Sequence, residues 1–239
     1  MLEAGIGDMV RTAYNRETAY SYDEKRFLTP QGKVFDQLEK EQLLQVLHRL
    51  NKPAQILEVG CGTGRFLELA LASDRHTVWG VDPSPFMLEV TRGKNLDFGR
   101  LQLVCAEGAF LPFPDDNFDL VYCIRVLNQI GSRDYAFYMI QEMLRVSKQL
   151  VLLEFVNRVR LVRKSERGTQ LTITDVVNLL ASFPSVRLVD ISGILFFSQT
   201  ALMLVPRPFL KLFVCIDQMF SLRLPHLCSR VYVTLEKVC

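Results

Sequence analysis

Three glycines and three acids supply the chemistry legible in this chain. In residues 56–66, ILEVGCGTGRF, an apolar run breaks at Gly60, Cys61, Gly62, Thr63 and Gly64 and then resumes as a helical pattern near Arg65. Glycines lack the Cβ atoms that would hold a ligand away, and a helix start presents unpaired N–H groups. A nucleotide-like ligand is therefore expected. A dinucleotide fingerprint reads G-x-G-x-x-G. Counted from Gly60, its third glycine falls on Arg65, and the last glycine comes one residue early. Glu58, inside the strand before the turn, would also repel a pyrophosphate.

A ligand with an ammonium and a sulfonium in place of phosphates is compatible with that acid, and S-adenosylmethionine (SAM) is such a ligand. The stretch resembles the first motif of class I SAM-dependent methyltransferases, an E/D-x-G-x-G-x-G turn after the first strand. A ribose-binding acid should then close the second strand about 20 residues on. Asp82 does so after the apolar run 78–81, and Pro83 and Ser84 open the next helix. An Asp before Pro also caps helices, which is the alternative role. Residues 101–122 read as two strands joined by LPFPDDNFD. This is similar to the subgroup that includes the ubiquinone and menaquinone C-methyltransferases. The resemblance implies that Glu107 binds the adenine amino group, flanked by Ala106 and Gly108; Ser84, Pro85 and Met87 are expected beside the adenine, and Pro83 with the other cofactor residues.

Composition agrees with one large α/β domain: 239 residues, 49% of them hydrophobic, can fill a sizeable core. A net charge of +2 argues against a nucleic-acid surface spread over the protein. Six cysteines without C-x-x-C spacing suggest neither a metal site nor a disulfide framework, and Cys105 and Cys123 are expected as small buried hydrophobes in strands. The first residues lack a basic-then-apolar pattern, so a cytoplasmic protein is expected.

Residues 1–33 form a polar-aromatic arm. A helix over 34–50 follows, with Leu38, Leu43, Leu44, Val46, Leu47 and Leu50 as its apolar stripe and Glu39, Lys40 and Arg49 elsewhere. Strands near 55–59, 77–81, 101–105, 118–123 and 149–155 alternate with helices at 65–72, 84–92 and 134–146. Alternation predicts a doubly wound, Rossmann-like α/β fold with a parallel sheet. Further on come a helix opened by Thr174 and Asp175, a strand over 186–191 and a strand over 230–237. The resemblance implies a seven-stranded sheet with the last strand antiparallel beside strand five. The methyltransferase domain would cover 34–239, with a variable substrate-side segment over 157–228.

Two parts of that segment are open to more than one reading. The basic run Arg158, Arg160, Arg163, Lys164 and Arg167 is either a solvated loop or a cradle for an anionic acceptor or lipid surface. Residues 194–224 are unusually apolar, yet too interrupted for the roughly 20 apolar residues that cross a bilayer. Within them, Phe209, Leu212, Phe213, Ile216 and Phe220 share one face of a helix over 208–222, with Lys211, Gln218 and Ser221 roughly opposite. A stripe of this kind packs on the sheet, caps the pocket, or lies at a membrane surface.

A sulfonium methyl is already activated, so the enzyme mainly orients a nucleophile and excludes water. Strand four ends beside the reacting methyl in relatives, which puts Arg125 and Asn128 in positioning roles and Ile124 against the cofactor; a salt bridge is the structural alternative for Arg125. In the family, an N-terminal segment often closes over cofactor and substrate, implying a lid built from Tyr14, Tyr22 and Arg26. His48 and His76 read as structural, and His226 alone has a route to substrate. The expected function is SAM-dependent methyl transfer to a small-molecule or lipid-linked acceptor, an anionic one if the basic run forms a cradle. Alternatives are a quinone or lipid C-methyltransferase at the membrane surface and a SAM-binding protein without turnover.

Overall fold

The computed structural model describes residues 14–157 and 171–238. Seven strands, β1 (Gln55–Val59), β2 (Thr77–Asp82), β3 (Leu101–Cys105), β4 (Phe118–Cys123), β5 (Ser147–Val156), β6 (Val186–Ile194) and β7 (Arg230–Lys237), form one sheet of order β3-β2-β1-β4-β5-β7-β6. The first five pair in parallel, and β7 runs antiparallel to both β5 and β6. The doubly wound sheet with its reversed last strand is therefore present.

Strand sequences explain the two-sided burial. Parallel strands covered on both faces read as continuous apolar runs. Successive residues of β1 point into opposite cores: Ile56 lies with Tyr122 and Leu120 on one side, and Leu57 with Val121 and Phe118 on the other. Helix α3 (Pro30–Leu47) covers the first side through Phe35, Leu38, Leu43 and Val46. Helix α6 (Arg133–Val146) covers the second through Ala136, Met139, Ile140 and Met143.

Several boundaries differ from the expected ones. Helix α3 begins at Pro30, where Thr29 accepts the amide of Gly32, and it ends at Leu47, so it starts four residues before the expected 34 and stops short of 50. Before it stand two short helices, α1 (Arg16–Tyr20) and α2 (Tyr22–Phe27). Helix α4 (Leu67–Leu71) is shorter than the span 65–72, and α5 (Pro85–Arg92) is capped by Ser84. Helix α7 (Ile173–Leu180) starts earlier than Thr174, because Thr172 and Asp175 form a reciprocal capping box. Strand β6 continues to Ile194, paired with Arg230. Cys105 is exposed, contrary to expectation, whereas Cys123 is buried. Among the described residues, no helix is long and apolar enough to cross a membrane.

Helices α8 (Gln199–Leu204) and α9 (Leu210–Arg223) follow β6. The buried side of α9 carries Leu210, Asp217 and Ser221, while Phe209, Leu212, Ile216 and Phe220 of the apolar stripe are exposed. Ser221, expected on the outer side, points inward. The cause is polar: buried Asp217 accepts the amide of Phe197 at 2.9 Å and the hydroxyl of Ser221 at 3.3 Å, which fixes that face against the turn after β6.

Candidate cofactor and acceptor cleft

The parallel strands all end at one edge of the sheet, and a cleft opens there. In doubly wound sheets this carboxyl edge, where the strand order reverses, is where ligands bind. β1 lies at the reversal, between β2 and β4.

The turn after β1 is built by glycine. Gly60, Gly62 and Gly64 all have positive φ, at 77°, 52° and 76°. Their surroundings differ: a Cβ at Gly60 would lie 2.3 Å from Val126 Cγ2, and one at Gly64 would lie 2.7 Å from Thr91 Cγ2. At Gly62 a Cβ would meet nothing within 4 Å, so this glycine faces the open cleft. Gly60 and Gly62 line the cleft with Cys61, whereas Gly64 does not, and its part is to let the turn pack against α5.

Asp82 holds the turn from the neighbouring strand. Its Oδ2 accepts the amide of Gly62 at 2.8 Å, and its Oδ1 accepts the amide of Ser84 at 2.9 Å. It is 7% exposed, and burial pushes its pKa up to about 6 against those two hydrogen bonds. Each carboxylate oxygen retains a second lone-pair direction for a ligand hydroxyl. Glu58 is more deeply buried: the Tyr122 hydroxyl donates to it at 3.1 Å, and desolvation raises its pKa to about 8. Glu107, past β3, accepts the Tyr135 hydroxyl at 2.6 Å.

Of the remaining expected cofactor residues, Pro83, Met87, Ala106, Gly108, Ile124, Tyr14 and Tyr22 line the cleft. Ser84 instead caps α5 and donates to the Tyr14 carbonyl at 3.1 Å. Arg26 does not line it; its guanidinium stacks on the Tyr22 ring at 4.4 Å. The arm is nevertheless fastened over the site: Tyr14 donates to Gln129, Asp23 accepts from Thr63 Oγ1 at 2.7 Å, and Lys94 pairs with Asp23 at 2.8 Å.

Arg125 lines the cleft, but its charge is engaged. Its guanidinium sits 3.5 Å from Glu39 and 5.0 Å from the Phe35 ring. The expected alternative, a salt bridge, is present, and it is buried rather than at the surface. Burial lowers the Arg125 pKa, and Nε is left without a partner. Arg125 has a positive φ of 65°, held by Glu154, which accepts its amide at 2.6 Å and the Arg230 guanidinium at 2.5 Å. Glu39 also pairs with Arg65 at 2.7 Å and is fully buried, although a place away from the apolar stripe was expected. Asn128 does not line the cleft, and its Oδ1 is buried without a partner. His226 is exposed and away from the cleft. The basic run 158–167 lies outside the described residues.

The lining includes residues that pattern reading did not single out as site residues: Thr63, Arg65, Gln129, Tyr135 and Met139. Tyr135 sits among the apolar residues of α6, so its helical spacing reads as core. Only the fold brings its hydroxyl to Glu107.

Residues 56–149 match the family model described as a methyltransferase domain. In its fold, glycine turn and strand-end acids the chain is similar to class I SAM-dependent methyltransferases. Among curated relatives, the ubiquinone/menaquinone biosynthesis C-methyltransferase of Hahella chejuensis is 33% identical over 109 residues, 43% of each chain. An O-methyltransferase of Penicillium expansum is 32% identical over 111 residues, 44% of this chain and 40% of that one. The chain thus spans less than half the length of the curated relatives it matches. Magnesium protoporphyrin IX methyltransferase from Synechocystis PCC 6803, solved with bound SAM, shares the fold with a TM-score of 0.68 at 16% identity, covering 99% of both chains.

Proposed function

We propose that this chain transfers a methyl group from SAM to a small-molecule or lipid-linked acceptor entering beside Tyr14, Arg125 and Gln129. The observation that carries the reading is the open cradle at Gly62, tied to Asp82 and ringed by Glu58 and Glu107. Such a lining suits a cationic, hydroxyl-bearing nucleoside and disfavours a pyrophosphate, since three acids would face the phosphates.

In this reading Glu58 and the 60–64 backbone hold the methionine part, Asp82 the ribose hydroxyls, and Glu107, steadied by Tyr135, the adenine. Pro83, Met87, Ala106 and Gly108 enclose the ring. When bound, SAM supplies a methyl group already activated on sulfur. The protein's share is orientation and exclusion of water. Tyr14 and Tyr22 cover the cleft. Burial raises the Tyr14 phenol pKa well above its ordinary value, so Tyr14 acts as a hydrogen-bond donor and not as a base. No histidine lines the cleft among the described residues, which favours an acceptor whose own chemistry supplies the nucleophile. Arg125, bridged to Glu39, acts as a positioning residue for the acceptor wall. Any steering of an anionic acceptor would fall to the 158–167 run.

The test is incubation with methyl-labelled SAM and pools of small metabolites and extracted lipids. Label entering an organic product with the parent, and not with Asp82→Ala, supports methyl transfer. SAM retained without S-adenosylhomocysteine across all pools would indicate a binding protein.

A further inference from the structure

We propose that the outward face of α8 and α9 docks on the surface of an anionic lipid bilayer. Leu204, Phe209, Leu212, Ile216, Met219 and Leu222 are exposed, with Leu204 at 78% and Leu222 at 82%. A cluster of exposed large apolar side chains on neighbouring helices marks an interaction site. It is not a misplaced core face, because the opposite side of α9 is fixed inward by the hydrogen bonds of Asp217.

Charge selects the occupant. Exposed Arg207, Lys211 and Arg223 flank the apolar side chains, and residues 195–229 contain one acid, Asp217, which is buried. The exposed face is therefore apolar and basic with no exposed carboxylate. An anionic headgroup layer over hydrocarbon complements both features. A second copy would set the same cations against one another across a two-fold interface.

The placement has a consequence for access. Strand β6 runs parallel to β5, so its Ile194 end, from which α8 departs, lies at the cleft end of the sheet. Gln31 of α3 donates to the Val205 carbonyl at 3.0 Å, fastening the hairpin beside the arm. Docking through α9 holds that end of the molecule at the lipid surface. The inference does not depend on methyl transfer.

Vesicle flotation of the full chain tests it, with phosphatidylcholine vesicles with and without phosphatidylglycerol. The parent is expected to float with the anionic vesicles and less with the neutral ones, and binding should weaken as salt rises. Lys211→Gln should reduce anionic-vesicle binding roughly fivefold. The triple variant Leu212→Asp, Ile216→Asp, Met219→Asp should stay in solution while melting like the parent. If the triple variant fails to fold, Lys211→Gln with Arg223→Gln carries the test. Failure of the parent to float with either vesicle at low salt overturns the proposal, as does parent-like flotation of the folded variants. A dimer by light scattering that the outward substitutions dissolve would assign the face to a second copy and also overturn it.

Discussion

Asp82 accepts the amide of Gly62 at 2.8 Å, so the end of β2 fixes the shape of the turn that ends β1. One carboxylate thereby organises the glycine cradle and faces the same cleft. Asp82→Ala removes both roles. SAM affinity should fall by roughly 1.5–3 kcal/mol, the scale of hydrogen bonds to a charged group, measured by calorimetry. Asp82→Asn, which retains one oxygen, should lose less.

The raised pKa values make both binding and stability depend on pH. Asp82 rises from an ordinary 3.8 to about 6 and Glu58 from 4.5 to about 8, both chiefly through burial. A cationic ligand prefers the ionised acids, so SAM affinity should rise as pH passes through about 6 and again toward about 8. The ligand-free protein behaves oppositely. Its folded state keeps protons that the unfolded chain releases, so these groups contribute less stability as pH rises from about 4 through the folded values. Titration calorimetry and thermal melts over this range should show the two trends, and Asp82→Asn should remove the step near 6.

Gly62 and Gly64 should respond differently to alanine. Both have positive φ, which costs a side-chain-bearing residue roughly 1–2 kcal/mol. At Gly64 the added methyl also meets Thr91, so Gly64→Ala should show the larger drop in melting temperature. At Gly62 the methyl projects into open cleft, so Gly62→Ala should cost more in SAM affinity than in stability.

Glu39 is the shared partner of Arg65 and Arg125. Glu39→Gln leaves buried Arg125 without a carboxylate and Arg65 with Asp36 alone, and should destabilise by roughly 3–5 kcal/mol in denaturant unfolding. Arg125→Met leaves Glu39 paired with Arg65 and should cost less. If Arg125 also shapes the acceptor wall, the folded Arg125→Met variant should show a raised acceptor KM while SAM affinity stays near that of the parent.

The succession of strands and helices and the glycine turn were legible because they rest on local chemistry: apolar runs, glycines where φ is positive, and acids at strand ends. Gly60, Gly62 and Asp82, singled out by spacing, and Glu107, singled out by the resemblance, all line the cleft. What was not legible depends on partners far apart in the chain. Glu39 reads as a solvent-side helix residue and is buried by arginines 26 and 86 positions away. Tyr135 reads as core, yet its hydroxyl meets Glu107. The α9 stripe has the pattern of a packed face. Asp217, a single buried acid bonded to Phe197, turns the helix the other way.

The central claim is that the cleft around Gly62, Asp82 and Glu107 is a SAM site. Calorimetric titration of the same protein sample with SAM, S-adenosylhomocysteine and NAD tests it most directly. Saturable binding of SAM and S-adenosylhomocysteine, weakened in Asp82→Ala and without measurable NAD binding, is the predicted result. Binding of NAD with no heat from SAM would contradict it.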